Sequence, residues 1–161
     1  MKSKLQNQIK DNLLRKGSYK KDMENEQYIE QMNILLMEKE KTKYQQIPDN
    51  NTRPIIFVLG LPRSGTTLLT QLLIAGLNVG YIDNLVARFW LAPIHGIRLS
   101  RAVLEKKQFS FTSDYGKTPS IDGPHEFSYF WHYWFKMENI PPYIPSEIKD
   151  KIDWHGFKTV L

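Results

Sequence analysis

The sequence predicts an α/β domain built on a parallel sheet and preceded by a helical segment. Three observations carry this expectation. An uncharged apolar run at 55–59, Ile-Ile-Phe-Val-Leu, leads into a loop bounded by Gly60 and Gly65 and then into a helix-forming stretch, a strand–loop–helix unit. A second apolar stretch at 77–82 closes on Asp83 and Asn84, placing polar groups where the carboxyl end of a strand faces a ligand crevice. Residues 1–50 are rich in Lys, Glu, Gln and Asn, hold no proline before Pro48, and space their apolar residues as a helix does. The expected organisation is a helical segment over 1–50 and an α/β domain over 54–161.

Bulk properties narrow the classes. A chain of 161 residues with 41% hydrophobic residues is one domain's worth and can bury a core. Cysteine is absent, which excludes a disulfide framework, a thiolate metal site and a thiol nucleophile. No apolar run approaches the roughly 20 residues of a membrane span. Lys2 and Lys4 are not followed by the apolar core of a signal peptide, so a cytoplasmic location is expected. The net charge of +5 suits an anionic ligand but is an ordinary value for a soluble protein. In the first 50 residues Lys alternates with Glu and Asp, the pattern of a solvated face and not of a nucleic-acid surface. No His, Asp and Glu cluster has ligand spacing, so no metal is expected.

In chain order, Leu5, Ile9 and Leu13, then Tyr28, Met32, Leu35 and Leu36, recur at helical spacing, giving one or two amphipathic helices broken near Gly17 and Ser18. Self-association through 1–45 is one reading of this stripe. The stripe is short for a coiled coil, which favours a helix docked on the domain. Residues 48–51 form a turn or linker. After the loop, Leu68, Leu69, Leu72, Leu73 and Gly76 mark one helix face that ends near 76–78. Residues 97–107 read as a helix, and the polar stretch 109–119 as a loop, either an acceptor-side lid or a surface connection. Gly123-Pro124 reads as a helix start, with Phe127, Phe130, Trp131, Trp134 and Phe135 on one face. Ser146 caps a short polar helix, and 154–161 approaches a further strand.

The loop carries the chemistry. Leu61, Pro62, Arg63, Ser64, Gly65, Thr66 and Thr67 open a helix, where backbone N–H groups and the positive end of the helix dipole favour an anion. Arg63 adds a planar fork of donors, and Ser64, Thr66 and Thr67 add hydroxyls. The nucleotide-triphosphatase pattern is G-x-x-x-x-G-K-[ST]. Here the spacing from Gly60 to Gly65 holds, but Thr66 stands where the lysine should be, which argues against NTP hydrolysis and ordinary kinase chemistry.

This block, Gly-Leu-Pro-Arg-Ser-Gly-Thr-Thr-Leu-Leu at 60–69, resembles the 5′-phosphosulfate loop of the sulfotransferase family. The resemblance implies a P-loop-like three-layer sandwich and transfer of a sulfuryl group from 3′-phosphoadenosine 5′-phosphosulfate (PAPS) to a hydroxyl or amine of a small-molecule, glycan or peptide acceptor. It implies that Arg63 binds the 5′-phosphate and stabilises developing charge. Gly-Pro-His-Glu-Phe at 123–127 resembles a block of bacterial members. The candidates for the base that takes the acceptor's proton are Glu126, Asp83 and His125 in falling order. Asp83 is read equally as a helix N-cap, and Glu126 also as a carboxylate favoured by a helix dipole.

The family's second motif, an Arg and a Ser that hold the 3′-phosphate, has no match here, and only two or three strand candidates stand where such a sheet has about five. An incomplete sheet and weak or absent activity of this chain alone are therefore expected. The alternatives are a nucleotide or small-molecule kinase with a degenerate loop, and a non-catalytic anion-binding module.

Overall fold

Helices, and no sheet, organise the described residues of this protein. The computed structural model describes residues 20–47, 54–61, 63–104, 111–114, 116–136 and 146–160. Among them are α1 (Met23–Tyr44), α2 (Thr66–Gly76), a 3₁₀ turn (Val86–Phe89), α3 (Pro93–Val103), α4 (Ser128–Trp134), α5 (Ser146–Lys149) and α6 (Trp154–Val160). Their β-structure is two isolated antiparallel bridges, Asp83 with Pro124 and Asp114 with Lys117. The expected parallel-sheet α/β sandwich is thus corrected.

The physical reason lies in each strand candidate. Residues 55–59 belong to no strand, no backbone hydrogen bond joins them to another described residue, and Phe57 and Leu59 are exposed. A parallel strand needs partners on its edges and cover on both faces. Residues 77–82 run into the Asp83–Pro124 bridge without forming a strand. Residues 154–160 are helical: the Asp153 carboxylate accepts the Gly156 N–H at 2.9 Å and its carbonyl accepts the Phe157 N–H at 2.9 Å, so a local cap starts α6.

The chain divides into two compact units, 1–32 and 33–161. The described part of the first holds the opening half of α1. Asp22 caps it, its carboxylate accepting from Glu24 N–H at 3.0 Å and Asn25 N–H at 3.3 Å, and Lys21 pairs with Glu26 at 2.9 Å. The expected stripe Leu5, Ile9 and Leu13, the break near Gly17, and the linker 48–51 with Pro48 lie outside the described residues, as do Lys107 and 137–145.

In the second unit the face that α1 buries is not the predicted one. Leu35 is 70% exposed, whereas Asn33, Glu40 and Tyr44 are buried. The amide of Asn33 donates to the Arg88 carbonyl at 2.7 Å and accepts from the Leu91 N–H at 2.9 Å. Glu40 accepts from the Ile94 N–H at 2.5 Å at the start of α3. Polar side chains, each bonded to a backbone group of the segment 88–94, therefore fix this helix.

The core is aromatic. Phe127, Phe130 and Trp134 are buried with Tyr44, Val86, Ala87, Phe157 and Val160, and Trp131 and Phe135 pack at its edge. Phe127 and Phe130 stack with centroids 4.5 Å apart, and Phe130 meets Trp131 edge-on at 5.2 Å. The aromatic face expected at 127–135 is the face that is buried. Its helix, however, begins at Ser128 and not at Pro124. Gly123 and His125 are held by backbone bonds to Asn84 and Ile82, both 2.9 Å, so the chain is committed to the bridge before it can coil. No helix among the described residues is long and apolar enough to cross a membrane.

Candidate functional site

The loop 60–67 is built by tight local geometry. A Cβ at Gly60 would stand 2.5 Å from Ser64 Oγ and 2.7 Å from Thr66 Cγ2, so the loop folds back onto this residue and only glycine leaves the space. The Ser64 N–H donates to the Leu61 carbonyl at 3.1 Å and closes the turn. Arg63 and Gly65 both take positive φ, 64° and 86°. Left-handed residues of this kind turn successive amides into an anion-binding concavity. Gly65 is the N-cap of α2, and the first helical hydrogen bond runs from the Leu69 N–H to the Gly65 carbonyl at 2.9 Å. The N–H groups of Thr66 and Thr67, at the start of an 11-residue helix, have no intrahelical acceptor.

Leu61, Arg63, Ser64 and Gly65 are exposed and Thr66 and Thr67 half-buried, while Pro62 lies outside the described residues. The sequence expected backbone donors from Ser64 to Thr67. Ser64 is spent on the turn, which leaves the amides that follow it. These features suit a tetrahedral anion: a cationic fork, helix-start amides and two hydroxyls on one short segment.

The segment 111–118 reaches over α2. The Gln71 amide, buried in α2, donates to the Thr112 carbonyl at 3.4 Å, and Asn84 donates to the Thr118 hydroxyl at 2.9 Å and to the Ser120 carbonyl at 2.7 Å. Between these two ties lies Gly116, with φ 78°. A Cβ there would stand 3.3 Å from Glu126 Oε1 and 3.7 Å from Thr67 Oγ1. The carboxylate of Glu126 and the hydroxyl of Thr67 therefore both come within 4 Å of one point beside Gly116. Sequence reasoning placed Gly116 in a lid or surface loop and gave it no role of its own. Its signal, a glycine in a polar loop, is too common to read.

The three base candidates are not equivalent in place. Asp83 is buried; its carboxylate accepts from the Val86 N–H at 2.7 Å and makes a short hydrogen bond with the Ser100 hydroxyl. Both oxygens serve the fold, one as cap of the 3₁₀ turn and one as tie to α3. His125 accepts the Phe127 N–H on Nδ1 at 2.8 Å, so the neutral ring carries its proton on Nε2. That bond braces Phe127, which has φ 56°. Glu126 is exposed. Its carbonyl accepts from Trp131 Nε1 at 3.1 Å, which fixes its backbone, and its carboxylate faces Gly116. The structure brings the Glu126 carboxylate near Thr67, gives the His125 ring work within the turn that carries Glu126, and spends the Asp83 carboxylate on the 3₁₀ turn and α3.

Gly116→Ala is expected to lower stability by about 1 kcal/mol, because a Cβ is strained at positive φ and crowds Glu126, and to lower the melting temperature by roughly 2–4 °C. Thermal unfolding followed by circular dichroism measures this; an unchanged melting temperature contradicts the packing at Gly116.

Comparison with family models, curated proteins and solved structures finds no match to this chain. Among the described residues no group of three His, Cys, Asp or Glu could hold a metal ion.

Proposed function

We propose that this chain carries the 5′-phosphosulfate-binding part of a sulfotransferase. The observation that supports this reading is the loop 60–67: Arg63 and Gly65 at positive φ, opening a helix on Thr66 and Thr67 with no lysine after Gly65. PAPS, when bound, supplies an electrophilic sulfuryl group for an acceptor hydroxyl or amine. Arg63, the amides of Thr66 and Thr67 and their hydroxyls hold the 5′-phosphate and offset charge on it. Glu126, whose carboxylate lies beside Gly116 as the Thr67 hydroxyl does, takes the acceptor's proton. His125 is a positioning residue that fixes the turn bearing Glu126, and Asp83 holds the segment to which that turn is bridged. The acceptor is a small molecule, glycan or peptide, and the cationic loop calls for no metal to neutralise the phosphate.

Calorimetric titration with 3′-phosphoadenosine 5′-phosphate tests the reading. Saturable binding that Mg-ATP does not displace at equal concentration is the expected result. No binding, or displacement by Mg-ATP, overturns it, the latter in favour of a kinase. Glu126→Gln is expected to leave this affinity unchanged or tighten it by no more than about threefold, since the residue acts on the acceptor and its loss removes one negative charge near the anion. A large loss of affinity in this variant contradicts the role assigned to Glu126.

A further inference from the structure

A second cluster of reactive groups stands apart from the loop in sequence, at the end of α1 and the start of α3. Glu40 is fully buried. Its Oε2 lies 2.5 Å from Nδ1 of His95, and its Oε1 accepts from the Ile94 N–H at 2.5 Å and the Tyr44 hydroxyl at 3.3 Å. With a carboxylate at Nδ1, that nitrogen carries the ring proton and Nε2 presents its lone pair. What Nε2 faces is an amine: Lys43 Nζ, 3.3 Å away. The three groups form a line of buried carboxylate, imidazole and amine. This is the arrangement in which a nucleophile meets a base that a third group orients.

Two further facts separate Lys43 from an ordinary surface lysine. Lys21 and Lys41 pair with Glu26 and Glu38 at 2.9 and 3.0 Å, whereas among the described residues Lys43 has no carboxylate partner and the imidazole is its polar neighbour. The His95 side chain is 23% exposed, so a proton reaching Nε2 has a way out to solvent. A proton passed to the ring also lands beside the buried Glu40 carboxylate, which stabilises the imidazolium.

We propose that Lys43 is a nucleophilic amine, activated by His95 and Glu40, that accepts an acyl group from an activated acyl donor of the thioester class. The ammonium first loses a proton through Nε2. The amine then attacks the acyl carbon, so that an N–C bond forms and the C–S bond breaks with its electron pair leaving on sulfur. The second nitrogen proton also departs through Nε2 to solvent, and the products are an acyl-lysine and a thiolate. The class follows from the cluster. The Tyr44 hydroxyl is no acid for a leaving atom, because burial, reinforced by the Glu40 carboxylate, keeps it protonated and turned to that carboxylate, and both protons taken up at Nε2 pass to solvent, so the cluster asks for a leaving group that departs as an anion. A thiolate leaves unprotonated, while an alkoxide or amine anion does not.

The test treats the full chain with S-acetyl-N-acetylcysteamine at neutral pH and follows acetylation of each lysine by peptide mapping. Lys39, exposed on the same helix, is the internal control. Lys43 is expected to react about 10-fold faster than Lys39 or more, and His95→Gln to bring it down to the control rate. A rate at Lys43 no greater than at Lys39, or an advantage that survives His95→Gln, overturns the proposal. The comparison within the native chain decides the matter even if the variant fails to fold.

Discussion

Arg63→Ala is expected to weaken binding of 3′-phosphoadenosine 5′-phosphate by about 10–100-fold, the effect of losing 1.5–3 kcal/mol of charge-assisted hydrogen bonding. Arg63 holds φ 64° on an exposed loop whose other donors are backbone amides and hydroxyls, so its guanidinium is the cation the loop itself brings to the phosphate. Arg63→Lys separates charge from shape. A lysine keeps the charge and loses the bidentate fork, so a smaller loss, roughly 3–10-fold, is expected. Calorimetric titration of both variants in low and high salt checks the assignment. Arg63→Ala binding as the native chain does refutes phosphosulfate recognition by this loop. Equal effects of the two substitutions would point to the fork alone.

The second large effect concerns the fold. Glu40→Ala is expected to destabilise the protein by about 3 kcal/mol or more, lowering the melting temperature by roughly 6–12 °C. The carboxylate is fully buried and satisfies the Ile94 N–H, the Tyr44 hydroxyl and the His95 ring together. Truncation takes the acceptor from three donors, the buried Tyr44 hydroxyl among them, and removes the tie between α1 and the start of α3. Glu40→Gln keeps the volume and one acceptor oxygen, so it is expected to cost about half as much. Chemical denaturation with circular dichroism measures both, and a Glu40→Ala variant as stable as the native protein contradicts the role of Glu40 as the polar anchor of α1.

The parts of the candidate site that sequence reached are those fixed by local chemistry. Gly60 and Gly65 bound a loop because one faces Ser64 and Thr66 too closely for a side chain and the other adopts positive φ at a helix start. The hydroxyl and arginine positions between them are read directly from the chain. Glu126 is a candidate through the resemblance of the block 123–127, yet what puts it near Thr67 is Gly116, whose loop two side-chain ties from distant residues hold in place. Asp83 has two readings of equal standing in sequence, and in the fold its carboxylate bonds the Val86 N–H and the Ser100 hydroxyl, contacts that no local pattern announces. The Glu40–His95–Lys43 line could not be read at all, because its members lie 52 and 55 positions apart and Glu40 sits in a helix where glutamate ordinarily faces water.

By itself the sequence determined the helix that follows the loop, the anion-seeking composition of the loop, and the aromatic face at 127–135 that forms the core. Each depends on neighbours within one or two helical turns: a cap, a glycine, a period of 3.6 residues. Only the tertiary structure decided that 55–59 pair with no strand among the described residues, that 154–160 coil around an Asp153 cap, and that α1 buries Asn33 and Glu40 in place of Leu35. Strand formation depends on partners remote in the chain, and β-propensity describes fit to a surface that must first exist. Likewise, a polar side chain is drawn inside only where the fold leaves a backbone N–H or carbonyl to be satisfied, and no local pattern announces where that will be.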